Sequence, residues 1–300
     1  MATVIESVAV AGPPPRWRRR GARTLADAAA RRALHRAGLV AGDIDLLLNA
    51  GLYHERNLGE PALAALIQED IGANPEDPHD GGHGTFSFDV ANGTCGMLTG
   101  IQVADGFLRS GTVRHALVVA SDADPGHRLA PGFPFAPAGA AIVCGWRPGP
   151  EGIQEIRFAN RPDGEGDAER GGGDGLRATV APGGRGNRLM IDEDPAFAAA
   201  AGAWAADVAS KLLADQGMPA SDVDLVVANP LAPDFLHALA AGLGVAPQQL
   251  VAPAKRHRVH TAALGVALEP VISRRWHEGK TTLLVSAGAG PTAGAALMRQ

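Results

Sequence analysis

An internal repeat constrains the fold of this 300-residue chain more than any other feature. The segment GDIDLLLNAG at 42–51 returns as SDVDLVVANP at 221–230, and each copy runs from an acidic turn into a buried apolar strand. An alanine-rich helix precedes each copy, and a second helix that begins near proline follows it. Self-similarity over this length predicts two halves built from the same supersecondary unit.

A second matching pair extends the repeat through both halves. CGMLTGIQVADGFLRSGTVRHALVVASD begins at Cys95, and HTAALGVALEPVISRRWHEGKTTLLVSAG begins at His260. Cys95 is as far from Ser121 as His260 is from Ser286, which predicts a register without a gap. We therefore expect Cys95 and His260 at corresponding helix starts.

Each half reads strand, helix, strand, helix, strand, helix, strand, strand. Continuous Val, Leu and Ile runs are typical of strands buried on both faces, so we expect parallel sheets covered by helices, in the α/β class. First-half strands are expected at about 3–11, 44–50, 85–91, 114–121 and 139–146, and helices at about 24–38, 60–71 and 95–110. The halves divide as 1–150 and 151–300, and the Gly-rich, charged stretch at 161–188 predicts a mobile loop inside the second half.

Composition and charge argue against several functions. Hydrophobic residues make up 46% and charged residues 20%, as in ordinary globular proteins. The net charge of −5 offers no basic surface for nucleic acid, and the absence of an eighteen-residue apolar run predicts no membrane span. An arginine-rich stretch at 16–20 is followed by charged residues and not by an apolar segment, so we expect no export signal.

Cysteine and histidine usage indicates neither a metal site nor a disulfide. Cys95 and Cys144 are far apart and lack redox or zinc spacing, which fits a reducing compartment such as the cytoplasm. The histidines form no metal-ligand spacing with carboxylates or thiols, so no metal is predicted.

Cys95 is the candidate nucleophile. In FDVANGTCGML it lies where a strand ends and an amphipathic helix begins, close to unpaired backbone N–H groups that can lower the pKa of a thiol. The alternative is a small buried thiol that fills a gap in the core, and Cys144 in AAIVCGW fits that alternative well.

The segment FDVANGTCGMLTGIQVADGFLRSGTVRHALVVASD resembles the nucleophile segment of the thiolase superfamily, in particular that of the 3-oxoacyl-ACP synthase III family. The closing SAGAGPTAGAALM is similar to that family's last Gly-rich loop and strand. The resemblance implies a thiolase-like fold, with two pseudo-symmetric βαβαβαββ halves in a layered α/β/α/β/α sandwich. It also implies that acyl-CoA or acyl-carrier protein is a substrate, with no bound cofactor.

The resemblance implies a catalytic trio of Cys95, His260 and Asn229, but with two roles exchanged. Asn229 stands where the family has His, and His260 stands where it has Asn. This order is similar to that of the thiolases, whose second Cys is matched here by Ser286. FAPAGAA replaces the family's GDGAGA-like loop. The alternatives are a core histidine for His260 and a turn residue or helix cap for Asn229.

Further site residues follow from position. The backbone N–H groups of Cys95 and of a loop containing Gly288 and Gly290 are expected to form an oxyanion hole. Trp17 and Arg18 are candidates for coenzyme A contacts, because the family uses Trp and Arg at its pantetheine entrance; a solvated basic loop is the alternative. His54 follows the second strand, where the family's loop lines the acyl pocket, or it is a surface histidine.

Together with these observations, the resemblance implies a cytoplasmic, homodimeric acyltransferase that forms a Cys95 thioester and carries out a Claisen condensation in fatty-acid or polyketide-type biosynthesis. The resemblance implies that the strand at about 85–91 pairs with its twin in a second subunit. One alternative is acyl transfer to an alcohol or amine without carbon–carbon bond formation. Another is a non-catalytic partner subunit of a heteromeric synthase.

Overall fold

The first half of the chain follows the predicted order of elements. The computed structural model describes residues 2–12, 21–55, 60–74, 84–126, 129–160, 176–181, 188–229, 232–252, 258–275, 278–288 and 292–299. The first-half elements are β1 (Ala2–Ala11), α1 (Ala22–Ala37), β2 (Leu46–Asn49), α2 (Leu63–Ile71), β3 (Phe86–Asp89), α3 (Gly96–Arg109), β4 (His115–Asp122) and β5 (Ala138–Arg147). Each lies within a few residues of its predicted position.

The second half repeats this order and adds a hairpin. Its elements are β6 (Gly152–Asn160), β7 (Leu176–Ala181), β8 (Arg188–Glu193), α4 (Phe197–Asp215), β9 (Leu225–Ala228), α5 (Pro233–Leu243), β10 (Leu250–Val251), α6 (Ala263–Ser273), β11 (Thr281–Gly288) and β12 (Thr292–Arg299). β7 and β8 pair antiparallel in a two-stranded sheet. The prediction of a loop is therefore wrong for 176–181, where Thr and Val favour a strand once RLMIDE is available as a partner; 161–175 and 182–187 lie outside the described residues.

Five strands from each half join in the order β10-β9-β11-β12-β6-β1-β5-β4-β2-β3. The halves meet at β1 and β6, where Thr3 pairs with Ile153. Among the described strands, parallel pairing is confined to β2 with β3 and β4, and to β9 with β10 and β11. The expected parallel sheets are in fact mixed, because the last strand of each half follows its neighbour without a crossover helix and so returns antiparallel.

Alternate strand residues face opposite helix layers, as the two-residue period of a strand requires. In β4, Leu117 packs with α1 and α2, whereas Val118 packs with α3 and α6. In β11, Leu283 packs with α4 and α5, whereas Leu284 faces α3 and α6. The layers are therefore α1/α2, first-half strands, α3/α6, second-half strands and α4/α5, which confirms the α/β/α/β/α sandwich.

The same alternation corrects the register of the repeat. A gap-free register aligns Val118 with Leu283, yet these residues face different layers. In the repeat, Val118 therefore corresponds to Leu284. Because β4 and β11 have equal lengths, Asp122 then corresponds to Gly288 at the ends of these strands. The predicted register is thus wrong by one residue on these strands.

At the helix starts, the offset between the two copies of the repeat is larger. Cys95 is the N-cap of α3, but the N-cap of α6 is Ala262, so His260 lies two residues before the position that corresponds to Cys95. The two helices nevertheless pack closely at their starts. A Cβ added to Gly265 in α6 would lie 3.1 Å from the Sδ of Met97, and Met97 follows Cys95 by two residues in α3. No helix among the described residues is long and apolar enough to cross a membrane.

Candidate active site

Cys95 lies at a strand-to-helix elbow, as predicted. A single 3-10 turn over Gly93–Cys95 connects the end of β3 to α3, and Gly93 adopts the left-handed backbone conformation, with φ of 50°, that glycine favours. The side chain of Cys95 is fully buried, and its Sγ lies 3.5 Å from the Thr292 carbonyl oxygen, a weak hydrogen bond. The sulfur is therefore held between the start of α3 and the start of β12.

Burial raises the pKa of the Cys95 thiol to about 12. This direction is opposite to the lowered pKa expected from the helix start, because a desolvated sulfur loses the water that stabilises a thiolate. Burial likewise raises the pKa of the Cys144 thiol to about 12, as expected for a cysteine that fills the core. Cys95 is thus a thiol in this structure, and its proton has to leave when an acyl group arrives.

Asn229 connects the residue before Cys95 to the end of β11. Its Nδ2 donates to the Thr94 carbonyl oxygen at 2.8 Å, and its Oδ1 accepts from the Ala287 N–H at 3.3 Å. The Thr94 hydroxyl closes the ring by donating to the Ala287 carbonyl oxygen. Both ends of the buried amide therefore hold main-chain groups beside the nucleophile.

Gly288 lies directly against the elbow. A Cβ built on it would lie 2.7 Å from Thr94 Oγ1 and 3.7 Å from the Cys95 nitrogen, so only glycine allows β11 to end this close. The Cys95 N–H donates to the Asn92 carbonyl oxygen at 2.9 Å within the 3-10 turn. A Cys95 N–H that stabilises an oxyanion would have to give up that bond.

His260 is nearly buried in an aromatic surround. Its ring centroid lies 4.4 Å from that of Phe135 and 5.0 Å from that of Tyr53. Its Nδ1 is 3.7 Å from Asp122 Oδ2, beyond hydrogen-bond length, and has no hydrogen-bond partner among the residues described. Burial and the nearby Asp122 charge raise the pKa of Tyr53 to about 12.

Asp122, at the end of β4, is a site residue that the sequence reasoning missed. One carboxylate oxygen accepts from the N–H groups of Leu52 and Tyr53 at 3.3 and 3.0 Å. The other accepts from the N–H and hydroxyl of Thr261 at 2.7 and 2.6 Å. Burial alone raises the pKa of this carboxyl, but His260, the Thr261 hydroxyl and the Tyr53 N–H hold it below its usual range. Its place in the acidic turn ending VVASD was the available signal.

The two halves cross-connect at this centre. Thr94 of the first half bonds Ala287 near the end of β11, and Thr261 of the second half bonds Asp122 at the end of β4. Each threonine precedes the N-cap of a central helix and reaches the end of a strand in the other half. Cys95 and His260 are therefore positioned by reciprocal contacts between the halves.

The structure says less about the remaining predicted site residues. His54 is half-buried, with its Nε2 buried and without a partner among the described residues. Ser286 lies fully buried inside β11 and not in a loop. Trp17, Arg18 and Gly290 lie outside the described residues. Within the described ranges, no cluster of three His, Cys, Asp or Glu side chains could hold a metal ion.

Comparisons with known proteins show which family the chain belongs to. Residues 213–300 match the family model described as the C-terminal part of 3-oxoacyl-[acyl-carrier-protein] synthase III. The chain is 30% identical over 289 residues to the beta-ketoacyl-[acyl-carrier-protein] synthase III of Sphingopyxis alaskensis, with 92% of this chain and 83% of that protein covered.

Two solved structures share the fold. The 3-oxoacyl-[acyl-carrier-protein] synthase III of Aquifex aeolicus superposes with a TM-score of 0.80 at 20% identity, covering 99% of this chain and 100% of the other. The priming beta-ketosynthase of the R1128 polyketide biosynthetic pathway gives 0.80 at 20% identity, covering 99% and 96%. Fold, elbow cysteine and relatives together show that the chain belongs to the 3-oxoacyl-ACP synthase III family of acyl-transferring condensing enzymes.

Proposed function

We propose that Cys95 accepts an acyl group from acyl-CoA or acyl-carrier protein and that the chain then joins this group to a malonyl-type extender. The observation that carries the proposal is the elbow itself. A buried cysteine begins α3, and the residue before it is held by Asn229 and by the end of β11. Such fixing of a nucleophile lowers the entropic cost of reaching the transition state.

The first half-reaction is a thioester exchange. The Cys95 sulfur attacks the donor's carbonyl carbon, the bond to the donor sulfur breaks, and the thiol proton ends on the departing thiol. Because burial raises the pKa of Cys95 to about 12, this proton has to move as the bond forms or be taken by a neighbouring base. His260 is the candidate for that base.

The second half-reaction forms the carbon–carbon bond. The extender loses carbon dioxide, the resulting enolate attacks the Cys95 thioester, and the Cys95 thiolate that leaves takes up a proton drawn from solvent. His260 stabilises the enolate or moves the proton that returns to Cys95. Asn229 donates a hydrogen bond to the enolate through the second N–H of Nδ2, which is not used in its bond to Thr94. Trp17, Arg18 and His54 stay proposed substrate contacts, and Gly288 and Gly290 stay proposed neighbours of the oxyanion.

A second candidate function is acyl transfer to an alcohol or amine. It is favoured by two observations: Oδ1 and one N–H of the Asn229 amide are committed to main-chain bonds, and His260 has a buried carboxylate beside it. His260 would take the acceptor's proton as its oxygen or nitrogen attacks the thioester. Cys95 would leave as the thiolate and recover that proton.

We further propose a cytoplasmic homodimer. β3 is the last strand of its sheet, and Phe86 on it is 58% exposed. The Phe86 ring packs against Phe88 and Phe107, so this edge presents an aromatic surface as well as unpaired backbone groups. Pairing with a twin β3 would cover both. A partner-subunit role without catalysis is disfavoured, because such a subunit has no need of Cys95.

A chase experiment distinguishes the two reactions. Enzyme preloaded with an acyl group is mixed with malonyl-acyl-carrier protein, with an alcohol and amine panel, or with buffer. The proposal expects rapid loss of the acyl group only with malonyl-acyl-carrier protein, together with a 3-oxoacyl product and released carbon dioxide. Rapid loss to the alcohol or amine panel, with none to malonyl-acyl-carrier protein, would replace condensation with the second candidate.

A further inference from the structure

A buried negative charge faces one ring nitrogen of His260 across the boundary between the halves. Asp122 comes from β4 in the first half, and His260 precedes α6 in the second. The Asp122 side chain is 2% exposed and that of His260 is 5% exposed, so water screens little of their interaction. A buried carboxylate needs hydrogen-bond donors or positive charge around it to stay ionised. The groups that bind Asp122 therefore determine how it acts on His260.

The carboxylate is held in place and ionised by hydrogen-bond donors. Two N–H groups, from Leu52 and Tyr53, bind one oxygen, and the N–H and hydroxyl of Thr261 bind the other. Four donors fill the positions that an ionised carboxylate offers. Asp122 therefore stays charged and fixed while His260 Nδ1, 3.7 Å away, faces that charge without a partner of its own among the described residues.

The other described contacts of the imidazole are mainly aromatic. The rings of Phe135 and Tyr53 lie against the imidazole. The contacts of these rings bring in two further titratable or charged groups: Tyr53, neutral at moderate pH with a pKa of about 12, and Arg258, whose guanidinium lies over Phe135 and pairs with Glu193. A proton on Nδ1 faces the Asp122 charge favourably, whereas a lone pair there faces that charge unfavourably.

We propose that Asp122 is a positioning residue that holds His260 in the Nδ1–H tautomer, so that Nε2 takes up the proton that the condensation consumes, presents it to the enolate as an N–H donor and passes it to the Cys95 thiolate. Thr261 supports this arrangement, because its two bonds to Asp122 fix the residue next to His260. The tautomer preference stands on the geometry alone. Its use in catalysis rests on the proposed function of His260.

The test reads the tautomer directly. Protein with ¹⁵N-labelled histidine is examined by long-range ¹H–¹⁵N NMR at about pH 8.5, above the usual range of histidine titration. The His260 signal is identified by its loss in His260→Gln. We expect the Nδ1–H pattern in the natural protein and a mixed or Nε2–H pattern in Asp122→Asn. Thr261→Val is the matched control, since it removes one bond to the carboxylate, keeps the charge and is expected to keep the Nδ1–H pattern.

Two results overturn the inference: an Nε2–H pattern in the natural protein, or an unchanged pattern in Asp122→Asn. Should Asp122→Asn fail to fold, the natural protein and Asp122→Glu decide, because both keep the charge and both are expected to show Nδ1–H; an Nε2–H pattern in either rejects the proposal. A kinetic arm separates this from the proposed function. Asp122→Asn should slow the second half-reaction by roughly 10²- to 10⁴-fold and change acyl loading less, because in loading the thiol proton can pass directly to the departing thiol. A tautomer shift with unchanged turnover in both Asp122→Asn and His260→Ala would support the positioning and reject the catalytic role of His260.

Discussion

Replacing Gly288 with alanine should disturb the nucleophile elbow. The added Cβ would lie 2.7 Å from Thr94 Oγ1, closer than real Cβ contacts allow. Thr94 has to rotate or shift, which breaks the bond from its hydroxyl to the Ala287 carbonyl oxygen and leaves buried polar groups unpaired. That loss costs about 1–3 kcal/mol of unfolding free energy. A displacement of the elbow by about 1 Å should also slow acyl loading by roughly 10²-fold.

The assay combines urea unfolding with the single-turnover rate of acyl loading. Gly106→Ala is the matched control, because Gly106 is an exposed residue of α3 and its added Cβ meets nothing within 4 Å. That change should leave loading intact and raise stability by about 0.5–1 kcal/mol. Thr94→Ala combined with Gly288→Ala removes the clash, so the double variant should be less destabilised than the sum of the singles. Strict additivity, or Gly288→Ala behaving like Gly106→Ala, would refute this account of the elbow.

Three further predictions follow from the site and the sheet edge. Because burial raises the pKa of Cys95 to about 12, its alkylation by iodoacetamide should rise about tenfold per pH unit from pH 8 to about 11; a plateau near neutral pH would show a lowered pKa instead. Phe86→Glu at the edge of β3 should give a monomer in sedimentation, whereas Val180→Glu, at a similarly exposed residue of the separate β7–β8 sheet, should not; dimers of both variants would exclude the β3 interface. His260→Ala should slow the second half-reaction by roughly 10²- to 10⁴-fold, and Asn229→Ala by about 10²- to 10³-fold; normal release of the acyl group by His260→Ala would remove it from the mechanism.

Local pattern was enough to predict two α/β halves, whereas the layered sandwich was implied by the family resemblance. Strands such as β4, with its run of Val, Leu and Ala, are buried on both faces, and that burial appears in the sequence as an unbroken apolar segment. The elbow at Cys95 was predictable for the same reason, since a strand, a Gly-flanked turn and an amphipathic helix follow one another along the chain. The β7–β8 hairpin was not, because LRATVA becomes a strand only by pairing with a segment that follows it.

The family resemblance supplied Asn229 as a site residue, although its contacts cross between the halves. Asn229 was expected beside the nucleophile, and it does bond the residue before Cys95. Asp122 was missed because its significance comes from His260 and Thr261, which reach it from the other half. The raised pKa of Cys95 was missed because helix-start geometry is visible in sequence, whereas the depth of burial depends on how both halves pack.

Peptide-level mass spectrometry after brief incubation with an acyl-CoA panel tests the central claim most directly. The account predicts one acyl group per chain, carried on the peptide that contains Cys95. Cys144→Ala should load equally, and Cys95→Ala, still folded, should not load at all. An acyl group found on another residue, or equal loading of Cys95→Ala, would contradict the assignment of Cys95 as the acyl acceptor.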